Sequence, residues 1–176
     1  MKQEYWDSNL FLAYLNDEPD NADIVDALID YARDQKNETM IVVSTLVLAE
    51  IRPRSSYDPD RSRVVKELFY TDIPYMRIVG VTPPIAELAS QIGGTHNEIT
   101  SPDAIHVATA LLEGAVIMYT LDGPRSKELR RSGGLLAYDG RIGVPDLLIA
   151  PLRIQPPTRP PNSQLPLAQN NPSRRG

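Results

Sequence analysis

The stretch SPDAIHVATALLEGAVIMYTLD, residues 101–122, predicts one helix followed by one strand. Apolar residues recur in its first half at the spacing of one buried helix face. These residues are Ala104, Val107, Ala108, Leu111 and Leu112. Gly114 should end the helix, because glycine commonly follows the last helical turn, and the apolar run 116–119 then predicts a strand.

An aspartate stands at each outer end of this helix and strand. Ser101 is a suitable N-cap and Pro102 suits the first helical position, so the helix should begin at Asp103. In an α/β unit the helix runs antiparallel to the strand that follows it, so the helix start and the strand end lie at the same edge of the sheet. Asp103 and Asp122 should therefore face one site.

The composition indicates one folded domain in a reducing compartment. The chain has 176 residues, of which 41% are hydrophobic, and this is enough for a sizeable core. The absence of cysteine excludes disulfides, thiolate metal sites and a cysteine nucleophile. The N-terminus lacks the apolar segment of a secretion signal, and no apolar run reaches the roughly 18 residues of a membrane span. We therefore expect a cytoplasmic protein without membrane association.

Charge and proline content separate the chain into two parts. Residues 151–176 contain four of the 18 basic residues and none of the 23 acidic ones, so residues 1–150 carry 14 − 23 = −9. Such an acidic body is a poor general binder of nucleic acid. The same tail holds seven of the 16 prolines, which predicts disorder, although 156–161 could instead form a polyproline II ligand. We predict a folded domain at 1–150 and a disordered tail at 151–176.

Strand and helix patterns alternate before the stretch 101–122, which predicts an α/β fold with a mainly parallel central sheet. Predicted strands are 3–6, 40–43 and 77–81, with helices at 10–15, 22–35, 46–51, 61–70 and 84–92, the last ended by Gly93 and Gly94. A further helix is predicted at 125–131 and an edge strand at 146–149. Asp7 directly follows the first strand, and Glu50 lies among apolar residues in the short helix after the second. Both acids should lie at the edge that holds Asp103 and Asp122.

Four carboxylates at one sheet edge repel one another, so such a cluster usually requires a cation. Mg²⁺ and Mn²⁺ prefer carboxylate oxygens, and two such ions can stabilise the attacking and leaving oxygens of phosphodiester hydrolysis. Four carboxylates also balance the charge of two divalent ions. The acids in question are Asp7, Glu50, Asp103 and Asp122.

Four segments in this order resemble the PIN-domain family, and most of all the VapC-type toxins of toxin-antitoxin pairs. The segments are YWDSNLFLAYLNDEPD, VVSTLVLAEI, SPDAIHVATALLEGA and YTLD, and the resemblance spans about residues 1–150. It implies a PIN-like nuclease domain with a three-layer α/β/α fold, Mg²⁺- or Mn²⁺-dependent endoribonuclease activity on RNA, a cognate antitoxin and a homodimer. Asp7, Glu50, Asp103 and Asp122 match the acids of the family's metal site, and Thr120 matches a hydroxyl residue near the last of them.

The sequence departs from the family after the fourth acid, where LDGPRS replaces the usual charged residues. We therefore expect a smaller contribution from Asp122 than from the other three acids. The tail after residue 150 has no counterpart in the family core.

Several structural interpretations remain open beside the functional ones. Asp7 could serve only as a helix cap, Asp103 only as an acid in the first turn of a helix, and Asp122 only as a turn residue. His106, one turn after Asp103, could contact a phosphate or transfer a proton, but a packed or hydrogen-bonded structural histidine is favoured. Glu50 requires a partner in its apolar surroundings.

Two other functions compete with a ribonuclease. One is a catalytically inactive PIN-like module that binds RNA or protein. The other is a metal-dependent phosphatase of small substrates, which the lack of a Gly-rich phosphate loop disfavours. The chain has no cysteine and only two histidines, which argues against a zinc hydrolase. It also lacks the G-x-S-x-G motif of a serine hydrolase.

Overall fold

The structure is a computed structural model, and it describes residues 1–51, 54, 56–97, 99–122 and 148–151. The described residues form a three-layer α/β/α fold around one parallel sheet, which confirms the predicted fold class. The strands are β1 Lys2–Trp6, β2 Thr39–Ser44, β3 Met76–Val79, β4 Ile117–Thr120 and β5 Leu148–Pro151. The helices are α1 Ser8–Leu15, α2 Asn21–Arg33, α3 Thr45–Glu50, α4 Pro59–Tyr70, α5 Pro83–Thr95 and α6 Ser101–Leu112, with a short 3₁₀ helix at Gln35–Asn37.

The strand order is β3-β2-β1-β4-β5, and every neighbouring pair is parallel. The chain builds outward from β1 to β3 on one side and then adds β4 and β5 on the other. The direction of strand addition therefore reverses at β1. Parallel α/β sheets bind ligands at the carboxyl ends of the strands beside such a reversal.

The two faces of the sheet bury separate hydrophobic cores. Helices α1 to α4 cover one face, where Trp6, Phe11 and Phe69 are central aromatic residues. Helices α5 and α6 cover the other face, where Tyr5 and Met118 from adjacent strands lie beneath Val107. Alternation along β1 explains this division, because successive strand side chains point to opposite faces. Among the described residues, no helix combines the length and apolar character that a membrane span requires.

The start of α6 corrects one prediction. The N-cap is Thr100 rather than Ser101, and the helix begins at Ser101 rather than at Asp103. The Thr100 hydroxyl donates to the Asp103 carboxylate at 2.7 Å. A cap and the residue three positions later can form such a contact, and Asp103 is three residues after Thr100 but two after Ser101. Asp103 still lies in the first turn, as predicted.

The two helix ends next to glycine behave differently. The prediction that Gly93 and Gly94 end α5 is wrong, because the helix continues to Thr95, whose hydroxyl donates to the Gln91 carbonyl. Gly114 does end α6: it has φ +69°, and the N–H groups of Gly114 and Ala115 donate to the carbonyls of Leu111 and Ala110. These two bonds form a Schellman motif, which favours glycine at the left-handed position.

The remaining predictions fall partly or wholly outside the described residues. The predicted edge strand at 146–149 corresponds to β5, which covers Leu148–Pro151, while residues 146 and 147 are outside the description. The predicted helix at 125–131 and the tail after Pro151 also lie outside it. The domain boundary and the disorder of the tail remain predictions.

Candidate active site

The four acids come from elements that end or begin at the carboxyl edge of the sheet. Asp7 directly follows β1, and its N–H continues the β1–β4 pairing by donating to the Tyr119 carbonyl at 3.1 Å. Glu50 is the last residue of α3, which begins as soon as β2 ends. Asp122 lies two residues beyond β4, and Asp103 lies in the first turn of α6. The edge beside β1 thus brings together acids from four parts of the sequence.

Asp7 is held by hydrogen bonds on both carboxylate oxygens. Oδ1 accepts the backbone N–H of Ser8 at 2.7 Å, so Asp7 is also the N-cap of α1. Oδ2 accepts the Thr120 hydroxyl at 2.6 Å and the Asn9 side-chain amide at 2.9 Å. The residue is 3% exposed. The capping and functional interpretations of Asp7 are therefore compatible, because one side chain can cap the helix and still face the acidic site.

Glu50 finds its partner in His106. The imidazole Nε2 lies 2.8 Å from Glu50 Oε2 and 3.6 Å from Asp7 Oδ1, so the ring stands between the two acids. His106 is 1% exposed, whereas the Glu50 side chain is 27% exposed and can still be reached from outside. The structural interpretation of His106 accounts for these contacts, and they also place this histidine inside the acidic site.

The pKa values follow from burial and from the position of His106. Burial raises the pKa of Asp7, although the charge of His106 and the hydrogen bonds from Thr120 and Ser8 oppose the rise. Burial alone would also raise the pKa of Glu50, but the hydrogen bond and charge of His106 outweigh it and lower that pKa. Burial would lower the pKa of His106, and the hydrogen bond to Glu50 and the charge of Asp7 raise it instead. The imidazole and the Glu50 carboxylate therefore favour each other's charged forms.

Asp103 and Asp122 share the electrostatic environment of Asp7. Burial raises the pKa of Asp122, and the negative charges of Asp103 and Asp7 raise it further. The charge of Asp103 also contributes to the raised pKa values of Asp7 and His106. This mutual repulsion is what an acidic cluster shows when no cation is bound.

Part of the cluster has the donor set of a metal site. One ligand atom each from Asp7, Glu50 and His106 lies within 4.8 Å of the others. Two carboxylates and an imidazole suit Mn²⁺ and related divalent ions, and carboxylates suit Mg²⁺. The residues present therefore fit a divalent cation. The sequence interpretation named Asp7 and Glu50 as ligands together with Asp103 and Asp122, which are not in this group, and it did not name His106.

Asn9 is a site residue that the sequence interpretation did not single out. Its amide donates to both Asp7 and Thr120, and its Oδ1 accepts the backbone N–H of Leu121 at 2.9 Å. It therefore fixes the segment after β4 against the start of α1. The spacing Asp7-x-Asn9 at a strand end is the only local indication in the sequence that Asn9 belongs to the site. Its other partners, Thr120 and Leu121, lie 111 and 112 residues away.

Thr120→Val should lower the free energy of unfolding by about 1–3 kcal/mol, because valine matches threonine in shape but leaves buried polar groups unpaired. The Thr120 hydroxyl donates to Asp7 and accepts from Asn9 and from the Asp122 N–H at 2.9 Å. Urea unfolding measures the change. Thr109→Val is the matched control, since among the described residues the buried Thr109 hydroxyl makes one hydrogen bond, to the Ile105 carbonyl. Equal losses in the two variants would contradict a special role of Thr120.

Comparison with known proteins places this geometry in a family. The model of the PIN domain family matches residues 5–124, a segment that contains all four acids. A search of curated proteins found no match. The crystal structure of VapBC2 from Rickettsia felis bound to a DNA fragment from their promoter is similar with a TM-score of 0.50 and 14% identity, over 85% of this chain and 98% of that chain. FitAcB from Neisseria gonorrhoeae has a TM-score of 0.44 and 20% identity, over 73% of this chain and 91% of that chain.

The match to the PIN domain model confirms the family resemblance that the sequence motifs suggested, and the VapBC2 structure has a similar fold. The family match covers the end of β1, the strands β2 to β4 and the helices between them, which together build the acidic edge. This chain therefore belongs to the PIN domain family.

Proposed function

We propose that this PIN domain is a Mg²⁺- or Mn²⁺-dependent endoribonuclease and the toxin of a toxin-antitoxin pair. The observation that carries the proposal is the placement of Asp7 and Glu50 with His106, whose ligand atoms lie within 4.8 Å of one another at the carboxyl edge of a parallel sheet. Asp103, whose charge acts on Asp7 and His106, and Asp122, on which the charges of Asp103 and Asp7 act, would complete the cation site. Divalent cations held by ligands of this kind promote the hydrolysis of phosphodiester bonds.

The residues of the chain would divide the work as follows. Asp7 and Glu50 would hold the cation, with Asp103 and Asp122 as additional ligands. When bound, a divalent cation supplies an activated water and neutralises charge on the phosphate oxygens. Asn9 and Thr120 orient the Asp7 carboxylate through the hydrogen bonds described above.

A cavity next to the acids would admit the RNA chain. Its volume is about 290 Å³, and its walls include Asn9, Asp122 and Arg54. Arg54 lies four residues after the end of α3, and its guanidinium suits a phosphate group of the substrate. This local cation would offset the repulsion between RNA and the acidic body of the domain.

The proposed partner is an antitoxin that inserts an arginine or lysine into the acidic site. Four carboxylates without a bound cation attract a guanidinium through charge-assisted hydrogen bonds. VapBC2 from Rickettsia felis, the structure with a similar fold, was crystallised bound to a promoter DNA fragment. We also propose a homodimer and a cytoplasmic location for this chain. Purification from the native host should recover a partner with a basic tail, and its absence would contradict the toxin assignment.

Substrate choice tests the reaction class. The purified full chain should cut single-stranded RNA in Mn²⁺ and leave DNA of the same sequence and a small phosphomonoester intact. Cleavage of the phosphomonoester alone would favour a phosphatase. Binding of RNA without cleavage in Mg²⁺ or Mn²⁺ would favour the inactive module.

Saturating Mn²⁺ should raise the melting temperature of the full chain, because the cation relieves repulsion among the acids in the folded state only. Binding at 100 times Kd adds about 2.7 kcal/mol, which corresponds to roughly 5–10 °C for a domain of this size. Differential scanning fluorimetry with Mn²⁺, with EDTA and with Ca²⁺ measures the shift. An unchanged melting temperature in Mn²⁺ and in EDTA would contradict a cation site.

A further inference from the structure

A chain of three contacts, two of them buried and the third part-buried, connects Glu50 to the strands β1 and β2. The backbone N–H of Ser44 donates to the Tyr5 hydroxyl at 3.2 Å. That hydroxyl lies 2.6 Å from His106 Nδ1, and His106 Nε2 lies 2.8 Å from Glu50 Oε2. Tyr5 and His106 are 0% and 1% exposed, so water does not compete for the two bonds of the Tyr5 hydroxyl.

The order of donors in this chain depends on the charge of His106. In the neutral ring Nδ1 accepts the proton of the Tyr5 hydroxyl, and the Nε2–H donates to Glu50. In the charged ring both nitrogens donate, and the Tyr5 oxygen accepts the Nδ1–H as well as the Ser44 N–H. Each group thus has a partner on both sides, and rotation of the imidazole would break two bonds at once.

Packing leaves little freedom for a different arrangement. Tyr5 lies on β1 and His106 on α6, and their rings are in contact, with centroids 5.8 Å apart. Both are buried on the side of the sheet that α5 and α6 cover, whereas the Glu50 side chain stands at the edge of the sheet and is partly exposed. A partly exposed glutamate at the end of a six-residue helix would otherwise sample several rotamers.

We propose that Tyr5 and His106 are positioning residues that hold the Glu50 carboxylate toward Asp7, so that the two acids bind a divalent cation as a preformed pair. This inference deepens the proposed function and rests on its cation site. In this role His106 Nε2 donates to Glu50 and is therefore not itself a ligand of the cation. Neither Tyr5 nor His106 needs to contact RNA or to change its charge. Hydrogen-bond partners of this kind commonly contribute about 10- to 100-fold to metal affinity.

Mn²⁺ titration by isothermal calorimetry of the full chain, without RNA, tests the proposal. Tyr5→Phe removes one oxygen atom and should weaken Mn²⁺ binding by about 10-fold. Tyr119→Phe is the matched control, because Tyr119 is a buried tyrosine on the adjacent strand that faces the opposite core. The control should bind Mn²⁺ as wild type does. Equal affinities of Tyr5→Phe and wild type below their melting temperatures would overturn the proposal.

A double-mutant cycle separates positioning from general loss of packing. In His106→Gln the amide nitrogen can replace Nε2 as the donor to Glu50, while the link to Tyr5 is lost. Its affinity should lie between those of wild type and His106→Ala. Adding Tyr5→Phe to His106→Gln should cause no further loss, because Tyr5 acts through His106. Additive losses would contradict this relay, in which Tyr5 positions Glu50 through His106. The affinity of His106→Gln tests the relay even where Tyr5→Phe fails to fold.

The calorimetric result is independent of RNA cleavage, so the two proposals fail in different ways. Wild type that binds Mn²⁺ with the predicted dependence on Tyr5 but cuts no RNA would support the relay and overturn the nuclease. If wild type cuts RNA and both Tyr5→Phe and His106→Gln bind Mn²⁺ as wild type does, the nuclease is supported and the relay is overturned. Failure of wild type to bind Mn²⁺ would overturn the relay as well.

Discussion

Replacing Asp7 with asparagine is expected to abolish RNA cleavage, with a loss of roughly 1,000-fold or more, since even the outer hydrogen-bond partners of metal ligands contribute about 10- to 100-fold. Asp7 is the most buried of the four acids and faces His106 at 3.6 Å. Asparagine keeps the size and one carbonyl oxygen but removes the charge that would bind the cation. Initial cleavage rates of a fluorogenic RNA in Mn²⁺ measure the effect.

The fold of Asp7→Asn should survive, because two effects on stability oppose each other. Burial raises the pKa of Asp7, so the folded protein holds its charge at a cost that asparagine removes. Both carboxylate oxygens accept hydrogen bonds, however, and an amide N–H will face a donor from Ser8 or from Thr120. We expect a change of a few degrees in melting temperature, measured in EDTA.

Asp58→Asn is the matched control for this variant. Asp58 is also an N-cap, where its side chain accepts the Arg61 N–H at 2.9 Å, and asparagine caps helices as well as aspartate does. This variant should cleave RNA at the wild-type rate. A large loss in Asp58→Asn would show that helix capping rather than the acidic site limits activity. Full activity of Asp7→Asn would remove Asp7 from the site.

Glu50→Gln should cause a loss of cleavage comparable to that of Asp7→Asn while leaving the fold unchanged. Glutamine still accepts the hydrogen bond of His106 Nε2 through its amide oxygen, so the contact at 2.8 Å can persist. The negative charge toward the cation is lost. Cleavage assays in Mn²⁺ together with melting curves in EDTA should therefore show an inactive, folded protein.

The imidazole of His106 reports the loss of the Glu50 charge in Glu50→Gln. Burial lowers the pKa of His106, and the Glu50 hydrogen bond is the first influence that raises it. The His106 ring should therefore titrate at lower pH in the variant than in wild type, as measured by NMR in the absence of metal.

Glu4→Gln controls for the loss of any buried acid. Glu4 is 3% exposed, lies on β1 outside the acidic site and pairs with Lys2 at 2.7 Å. Its neutralisation should lower stability somewhat and leave the cleavage rate unchanged. Retained cleavage by Glu50→Gln, or an equal loss in Glu4→Gln, would argue against a ligand role for Glu50.

Local patterns in the sequence predicted most of the fold. Strands such as β2 form apolar runs that a parallel sheet buries on both faces, and Gly114 marks the end of α6 by its left-handed conformation. The start of α6 was predicted wrongly, because Thr100 and Ser101 are both suitable caps and the actual cap is Thr100. With Thr100 as the cap, its hydroxyl contacts the Asp103 carboxylate. This contact depends on side-chain geometry, which the sequence pattern does not show.

The site was only partly predictable, because its support comes from distant residues. Strand ends placed Asp7 and Asp122 at one edge, and the apolar surroundings of Glu50 indicated that it needs a partner. The partner is 56 residues away, and the hydroxyl that orients that partner is 101 residues from it. No helix or strand period relates residues at such separations. The parallel pairing of β1 with β2 and the packing of α6 over them create these contacts.

Parallel Mn²⁺ titrations of RNA cleavage and of binding heat, on the same preparation of the full chain, test the central claim most directly. We predict that the cleavage rate rises with Mn²⁺ and reaches half its maximum at the calorimetric Kd, and that excess EDTA abolishes it. Asp7→Asn should neither cleave RNA nor release the heat of Mn²⁺ binding. Cleavage at an undiminished rate in excess EDTA, or Mn²⁺ binding by wild type without any cleavage of RNA, would contradict the assignment of this acidic site to a metal-dependent ribonuclease.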